Sequence, residues 1–272
     1  MTAAADLLHE RYAGAFDTTA ATLNDTLATI IGHRSCRRYL PQEVSREMLD
    51  LLIAAGQSAP SSCNLQSWSV IALTDPQAKA RVRAISSDQA QVEEAPLLLC
   101  FVADLARLEQ VAVDNGVPHE ALDYLETLLV GVIDAALAAQ NLAVAAESLG
   151  LGTCYIGSIR NNLPEMCRLL GLPKRVVPLF GMTIGYPDPA MPAAIKPRLA
   201  PSSVLHIGQY DSAAAVAPVP AYEQALEAFN QSQGRRMPLW GMRSATRIST
   251  VERMEGRHEL GAQLKAQGLG LK

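Results

Sequence analysis

Residues 120–157 read EALDYLETLLVGVIDAALAAQNLAVAAESLGLGTCYIG, and this stretch decides the fold. Leu122, Leu125, Leu129, Val132, Ala136, Ala139 and Ala143 fall on one stripe at helical spacing, and Ala135, Ala138 and Ala145 carry small residues round the other faces. The pattern predicts one long helix over 120–150, apolar nearly all round and therefore buried on all sides, either in a core or at a contact between two subunits. Gly150 closes it as a left-handed cap, and 153–157 follows as a strand. Asp134, Gln140 and Glu147 interrupt the roughly 20-residue apolar run that a membrane span requires, so the expectation is a soluble, cytoplasmic chain with no membrane partner.

Upstream, Ser45 is placed to cap a helix whose apolar face is Met48, Leu49, Leu52 and Ile53. The segment 60–62 stops that helix, 69–74 has strand character, and Asp75-Pro76 opens another helix with the aspartate as cap. The continuous apolar run 97–103 after Pro96 reads as a buried central strand. Downstream come a helix at 164–170 closed by Gly171, a third buried strand at 176–185, a Pro- and Ala-rich stretch beyond Asp188, and helices at 222–230 and from about 255. Strands and helices mix without regular alternation, so the expected class is α+β. An N-terminal extension of little certain structure occupies 1–28. One domain fills 29–272, with a C-terminal excursion over about 200–272.

Composition narrows the function. Apolar residues make up 49% of the 272-residue chain and charged ones 18%, which describes a globular protein. A formal net charge of −4 offers no basic face for nucleic acid. The five cysteines, Cys36, Cys63, Cys100, Cys154 and Cys167, lack Cys-x-x-Cys spacing, so neither a metal site nor a disulfide framework is expected, and free thiols fit a reducing compartment. Basic residues do gather locally. His33-Arg34-Ser35-Cys36-Arg37 sets two guanidinium groups three residues apart, and Lys196-Pro197-Arg198 repeats the theme far downstream. Arginine's planar fork pairs with phosphate oxygens. Each cluster alone reads as solvated surface; together they suit one phosphate.

Several motifs occur in a fixed order: His33-Arg34-Ser35-x-Arg37, Ser61-Ser62-x-x-x-Gln66, Gln89, the segment 150–162, Pro178-Leu179-Phe180-Gly181 and Lys196-Pro197-Arg198. Taken together the chain resembles the nitroreductase family from about residue 28 to its end, in particular the oxygen-insensitive NADPH nitroreductase A and flavin reductase P branch. The resemblance implies a central mixed β-sheet flanked by helices in an intertwined homodimer. It also implies a bound FMN reduced by NADPH, with NADH as an accepted substitute, and small aromatic acceptors such as nitro compounds, quinones or free flavin, served in a two-electron ping-pong cycle. FMN is then held by His33, Arg34, Ser35, Arg37, Lys196 and Arg198 at its phosphate and ribityl chain. Gln89 addresses the ring, Tyr155, Ile156, Gly157 and Ser158 pass beside it, and the Ser61, Ser62 and Gln66 loop reaches the flavin of the other subunit. No side-chain acid or base is required, because the flavin carries the chemistry.

Two departures from the family pattern stand out. Cys63-Asn64 replaces a serine and a phenylalanine at the mouth of the acceptor pocket, whose rim the resemblance assigns to Arg160. Gln233 replaces the arginine expected before Gly234, which leaves Arg235, Arg236 and Arg257 to meet the ribose phosphate of NADPH. Two alternatives remain at this level: a flavin reductase that supplies a partner monooxygenase, or a non-enzymatic phosphate-ligand or thiol-redox protein.

Overall fold

The apolar run after Pro96 forms the strand on which the rest is arranged. In the computed structural model, which describes residues 4–14 and 23–272, the chain runs through α1 (Ala4–Tyr12), α2 (Asp25–Ile31), α3 (Arg46–Gln57), β1 (Trp68–Leu73), α4 (Pro76–Ile85), α5 (Ala90–Glu94), β2 (Leu97–Asp104), α6 (Ala106–Asp114), α7 (Leu125–Ser148), β3 (Gly152–Ile156), α8 (Leu163–Leu169) and β4 (Val176–Gly185). Four further helices follow: α9 (Ser212–Val216), α10 (Val219–Ser232), α11 (Trp240–Arg247) and α12 (Leu260–Ala266). Two compact units emerge, one from 1–34 with 193–254, the other from 35–192 with 255–272.

The larger unit is built on the sheet, in the order β1-β2-β4-β3. The resemblance implies a mixed sheet; among the described residues the sheet has four strands, and all of them pair antiparallel. Side chains alternate across β2 with period two. Leu97, Leu99 and Phe101 meet Leu52 of α3 and Ala139, Leu142 and Ala146 of α7 on one face. Leu98 and Cys100 meet Val82, Val92, Ile156, Ile159 and Met166 on the other. Both faces are covered, which is why 97–103 is uniformly apolar. Pro178 sits in the central strand β4, where it cannot donate a ladder bond; it lies at an irregularity, since Phe101 pairs with Phe180 but Val102 with Pro178. The extra residue is Leu179.

The long helix departs from expectation at its start and on one face. It begins at Leu125, not at residue 120, because residues 120–123 form a 3-10 turn and Tyr124 is extended. That break leaves Asp123 free to pair with Arg175 and Lys272, both at 3.0 Å, tying the C-terminal residue to the helix entrance. At the other end Gly150, with φ +81°, lets the Leu151 N–H reach the Ala146 carbonyl (2.9 Å) and its own N–H reach that of Glu147 (3.1 Å). Leu151 then enters the core. Gly131 faces the carbonyl of Ser67 and Cβ of Ala103 so closely that an added Cβ would lie 3.1 Å from each. Not every face is buried: Leu125, Leu129, Ile133 and Leu137 make an exposed stripe at four-residue spacing. By length and composition α7 could cross a membrane, but its opposite face packs in the core just described.

The N-terminal extension is helical over Ala4–Tyr12, and residues 1–3 and 15–22 lie outside the described residues. In the smaller unit α10 spans the expected 222–230 segment, while α9 and α11 were not foreseen.

Candidate functional site

In the larger unit the serine loop between α3 and β1 is organised by a buried acid. Asp134 of α7, 2% exposed, accepts from Ser61 Oγ (2.8 Å), the Ser62 N–H (3.1 Å), the Ser67 N–H (3.1 Å) and Ser67 Oγ (3.1 Å). Ser61 Oγ in turn accepts from the Gln66 N–H at 2.8 Å. The loop needs this support, because Cys63, Asn64 and Gln66 all hold positive φ, near +50°, a region that residues with a Cβ seldom adopt. Ser62, Cys63, Asn64 and Gln66 are exposed. A cleft of about 190 Å³ opens beside them, with Asn64, Gln66, Trp68 and Arg107 among its lining residues.

Gln89 and Ser158, assigned to the same ligand from sequence, are brought together. Gln89 Nε2 donates to Ser158 Oγ (2.5 Å) and to the Ser86 carbonyl (3.1 Å), which also accepts from Ser158 Oγ (3.2 Å). Gln91 Nε2 fixes the Gln89 amide by donating to its Oε1 at 2.9 Å. Ile156 is buried in the core beneath, and Gly157 begins the 3-10 turn that carries Ser158 and Arg160. Tyr155 is 38% exposed rather than buried in its strand. Its ring ends an aromatic row across the sheet, Trp68–Phe101–Phe180–Tyr155, with centroids 6.2, 5.2 and 5.5 Å apart, and partial desolvation among its neighbours raises its phenol pKa above the usual value.

Arg160 is half-buried. Its Nη1 donates to the carbonyl of Leu179, the extra residue of the β4 irregularity, and desolvation lowers its pKa. No carboxylate pairs with it among the described residues. Sequence alone gave Arg160 only the rim of an acceptor pocket; in the fold it also satisfies a carbonyl that the sheet ladder cannot.

The cationic segments fall to both units. Ser35 and Arg37 begin the larger one, where Arg37 is exposed and donates to the Ser35 carbonyl at 3.3 Å. His33, Arg34, Lys196 and Arg198 belong to the smaller one, and there Arg11 of α1 joins them. Arg11, 7% exposed, donates to the carbonyls of Ile31 (3.1 and 2.8 Å), His33 and Lys196 (2.7 Å). Its own carbonyl accepts from the Arg198 N–H at 2.9 Å. The side chains of Arg34, Lys196 and Arg198 are exposed.

The three arginines that the resemblance assigns to NADPH fall to different units. Arg235 and Arg236 are exposed on the smaller unit, in the turn after α10 at Gly234 (φ +65°). Arg257 belongs to the larger unit, where its side chain is mostly buried and lies 3.8 Å from Glu255, itself bound by Ser87 and Asn161. Of the cysteines only Cys63 is exposed. Burial pushes the thiols of Cys100 and Cys167 up to about 12 and about 11, so they stay protonated at neutral pH, which speaks against thiol chemistry there.

Two residues that organise the site were not picked out from sequence. In the sequence Asp134 interrupts an apolar run, and an acid in such a helix needs donors when it folds. Arg11 lies three positions after Leu8, and both are buried; a cation on the same helical face as an apolar residue was the available signal.

Comparison with known proteins identifies the family. The chain matches the family described as "Nitroreductase family" over residues 30–186 and "Nitroreductase family, C-terminal domain" over 196–272. It is 41% identical over 191 residues to the FMN reductase (NADPH) of Bacillus subtilis (strain 168), covering 70% of this chain and 76% of that protein. It is 39% identical over 188 residues to the oxygen-insensitive NADPH nitroreductase of Salmonella typhimurium, covering 69% and 75%. The solved NADPH:FMN oxidoreductase from Vibrio harveyi, complexed with NAD+, superposes with a TM-score of 0.80 at 32% identity over 92% of this chain and all of that one. Motif order, sheet topology and these likenesses together establish that the chain belongs to the nitroreductase family.

Proposed function

We propose that the protein is a cytoplasmic, homodimeric NADPH-dependent FMN oxidoreductase that reduces nitroaromatics, quinones or free flavin. The observation that carries this reading is the meeting of His33 and Lys196, distant in sequence, at one guanidinium, with Arg34, Lys196 and Arg198 presenting exposed cations around them. Such a group fits a phosphate: the donors are cationic, Arg34 has no carboxylate partner among the described residues, and arginine forks match phosphate oxygens. The resemblance assigns Ser35 and Arg37 to the same phosphate. Gln89, held by Gln91 and Ser158, would present its amide to the flavin ring, and Tyr155, Ile156, Gly157 and Ser158 would line its flank.

When bound, FMN would supply hydride acceptance from NADPH and two-electron transfer to the acceptor. The chain's own residues bind, orient and exclude water. Cys63 and Asn64 shape the entrance for acceptors, and Arg160 pairs with a carboxylate or nitro group at its rim. Arg235 and Arg236 meet the ribose phosphate of NADPH, with Arg257 as a further candidate, and NADH serves less well. The exposed apolar stripe on α7 supports a second copy of the chain as partner. So does the small cleft at the serine loop, which is below the roughly 300–1,000 Å³ of ordinary ligand pockets and needs another wall.

The visible absorption spectrum of the purified protein tests the reading. A yellow two-band absorbance that NADPH bleaches without oxygen is expected. A colourless protein that takes up no added FMN would overturn it.

A further inference from the structure

We propose that Arg11, on the N-terminal helix, is a positioning residue for the FMN phosphate, fixing the backbone of the two segments whose cations receive it. The inference rests on the FMN-binding reading and assigns a task to a part of the chain outside both matched spans, 30–186 and 196–272.

The geometry is specific to arginine. One guanidinium makes four hydrogen bonds to three carbonyls, those of Ile31, His33 and Lys196. The first two lie on the segment that leads from α2 into the His33-Arg34 pair, and the third on the Lys196-Pro197-Arg198 segment. The Arg198 N–H closes the arrangement by donating back to the Arg11 carbonyl. The clasp is also inward-facing: Arg11 is 7% exposed, while Arg34, Lys196 and Arg198 are exposed. Arg11 is therefore no phosphate ligand itself. It fixes the Ile31, His33 and Lys196 carbonyls and, through its own carbonyl, the Arg198 N–H, so less backbone is left to order in these two segments when an anion arrives. Affinity rises when that ordering is completed in advance. A lysine at this position keeps the charge, but its single nitrogen lacks the planar fork that spans two segments.

The test separates a phosphate-specific role from general support of the fold. Full-length protein, native and carrying Arg11→Ala or Arg11→Lys, is freed of flavin and titrated with FMN and with riboflavin, which lacks the phosphate. Binding is read from quenching of flavin fluorescence, below the melting temperature of each variant. Arg11→Ala should weaken FMN about tenfold or more and change riboflavin less than twofold. Arg11→Lys should fall nearer to Arg11→Ala than to the native protein, and it carries the test alone if Arg11→Ala does not fold. Equal losses for both flavins, or unchanged FMN affinity in the variants, would overturn the role of Arg11 and leave the FMN reading standing. A native protein that binds neither flavin would remove both.

Discussion

Asp134 shows how much one side chain can organise. A carboxylate taken out of water is stabilised here by four donors and, among the described residues, by no cation. Asp134→Asn keeps the shape but turns one acceptor atom into a donor facing N–H and O–H groups. The loss should be about 2–3 kcal/mol, measured by urea unfolding. The loop should also loosen, so the exposed Cys63 should react faster with a thiol reagent while the four buried cysteines stay protected. Unchanged Cys63 reactivity would mean the loop holds its positive φ values without Asp134. At the proposed nicotinamide arm, Gln233 removes a charge the branch usually has, worth about 1 kcal/mol or roughly fivefold at an exposed position. Gln233→Arg should lower the Michaelis constant for NADPH and leave that for NADH nearly unchanged, and Arg236→Ala should raise the NADPH value alone. Steady-state kinetics with both nucleotides decides, and equal shifts would remove this turn from phosphate recognition. Residue types were legible at this scale and partners were not: the sequence names an acid, a serine loop and two cation clusters, but only folding selects which donors reach which acceptor.

Elements were legible where local rules act alone. Ser45 caps α3 by accepting from the Met48 N–H at 3.1 Å, and Asp75 caps α4 by accepting from the Ala78 N–H at 2.7 Å. The third buried strand, 176–185, has the bounds its apolar run sets. Where a distant segment competes, the local reading fails. The predicted start of the long helix at 120 yields to the pairing of Asp123 with Arg175 and Lys272. The bulge in β4 is a second case, because Pro178 signals a disturbed ladder but cannot say what satisfies the freed carbonyl. Arg160 does so in the fold. Arg160→Ala should therefore destabilise the protein by about 1–3 kcal/mol through an unpaired carbonyl, in addition to any effect on acceptors. Chemical denaturation of the flavin-free protein separates the two, and an unchanged midpoint would leave Arg160 with the acceptor role alone.

The whole molecule turns on what covers the stripe of Leu125, Leu129, Ile133 and Leu137 on α7. In the proposed homodimer this face meets a second copy, and an obligate interface of that kind buries on the order of 2,000 Å² or more. Ile133→Glu, which places a charge at a position 54% exposed in the single chain, should give a monomer in sedimentation that no longer retains FMN. A flavin-loaded, active monomer would contradict the assembly. What the sequence by itself determined is whatever depends on near neighbours and periodicity: the existence of the apolar core strands, the capped helices, the long Ala-rich helix and the family to which the ordered motifs belong. What only the tertiary structure decided is which distant groups meet: Asp134 with the serine loop, Arg160 with the Leu179 carbonyl, and Arg11 with the carbonyls of His33 and Lys196. The physical reason is the same in each case. Burial makes an unpaired polar group costly, so each of these side chains gains by finding a partner. Which partner it found depends on the path of the chain through space, and local sequence does not carry that information.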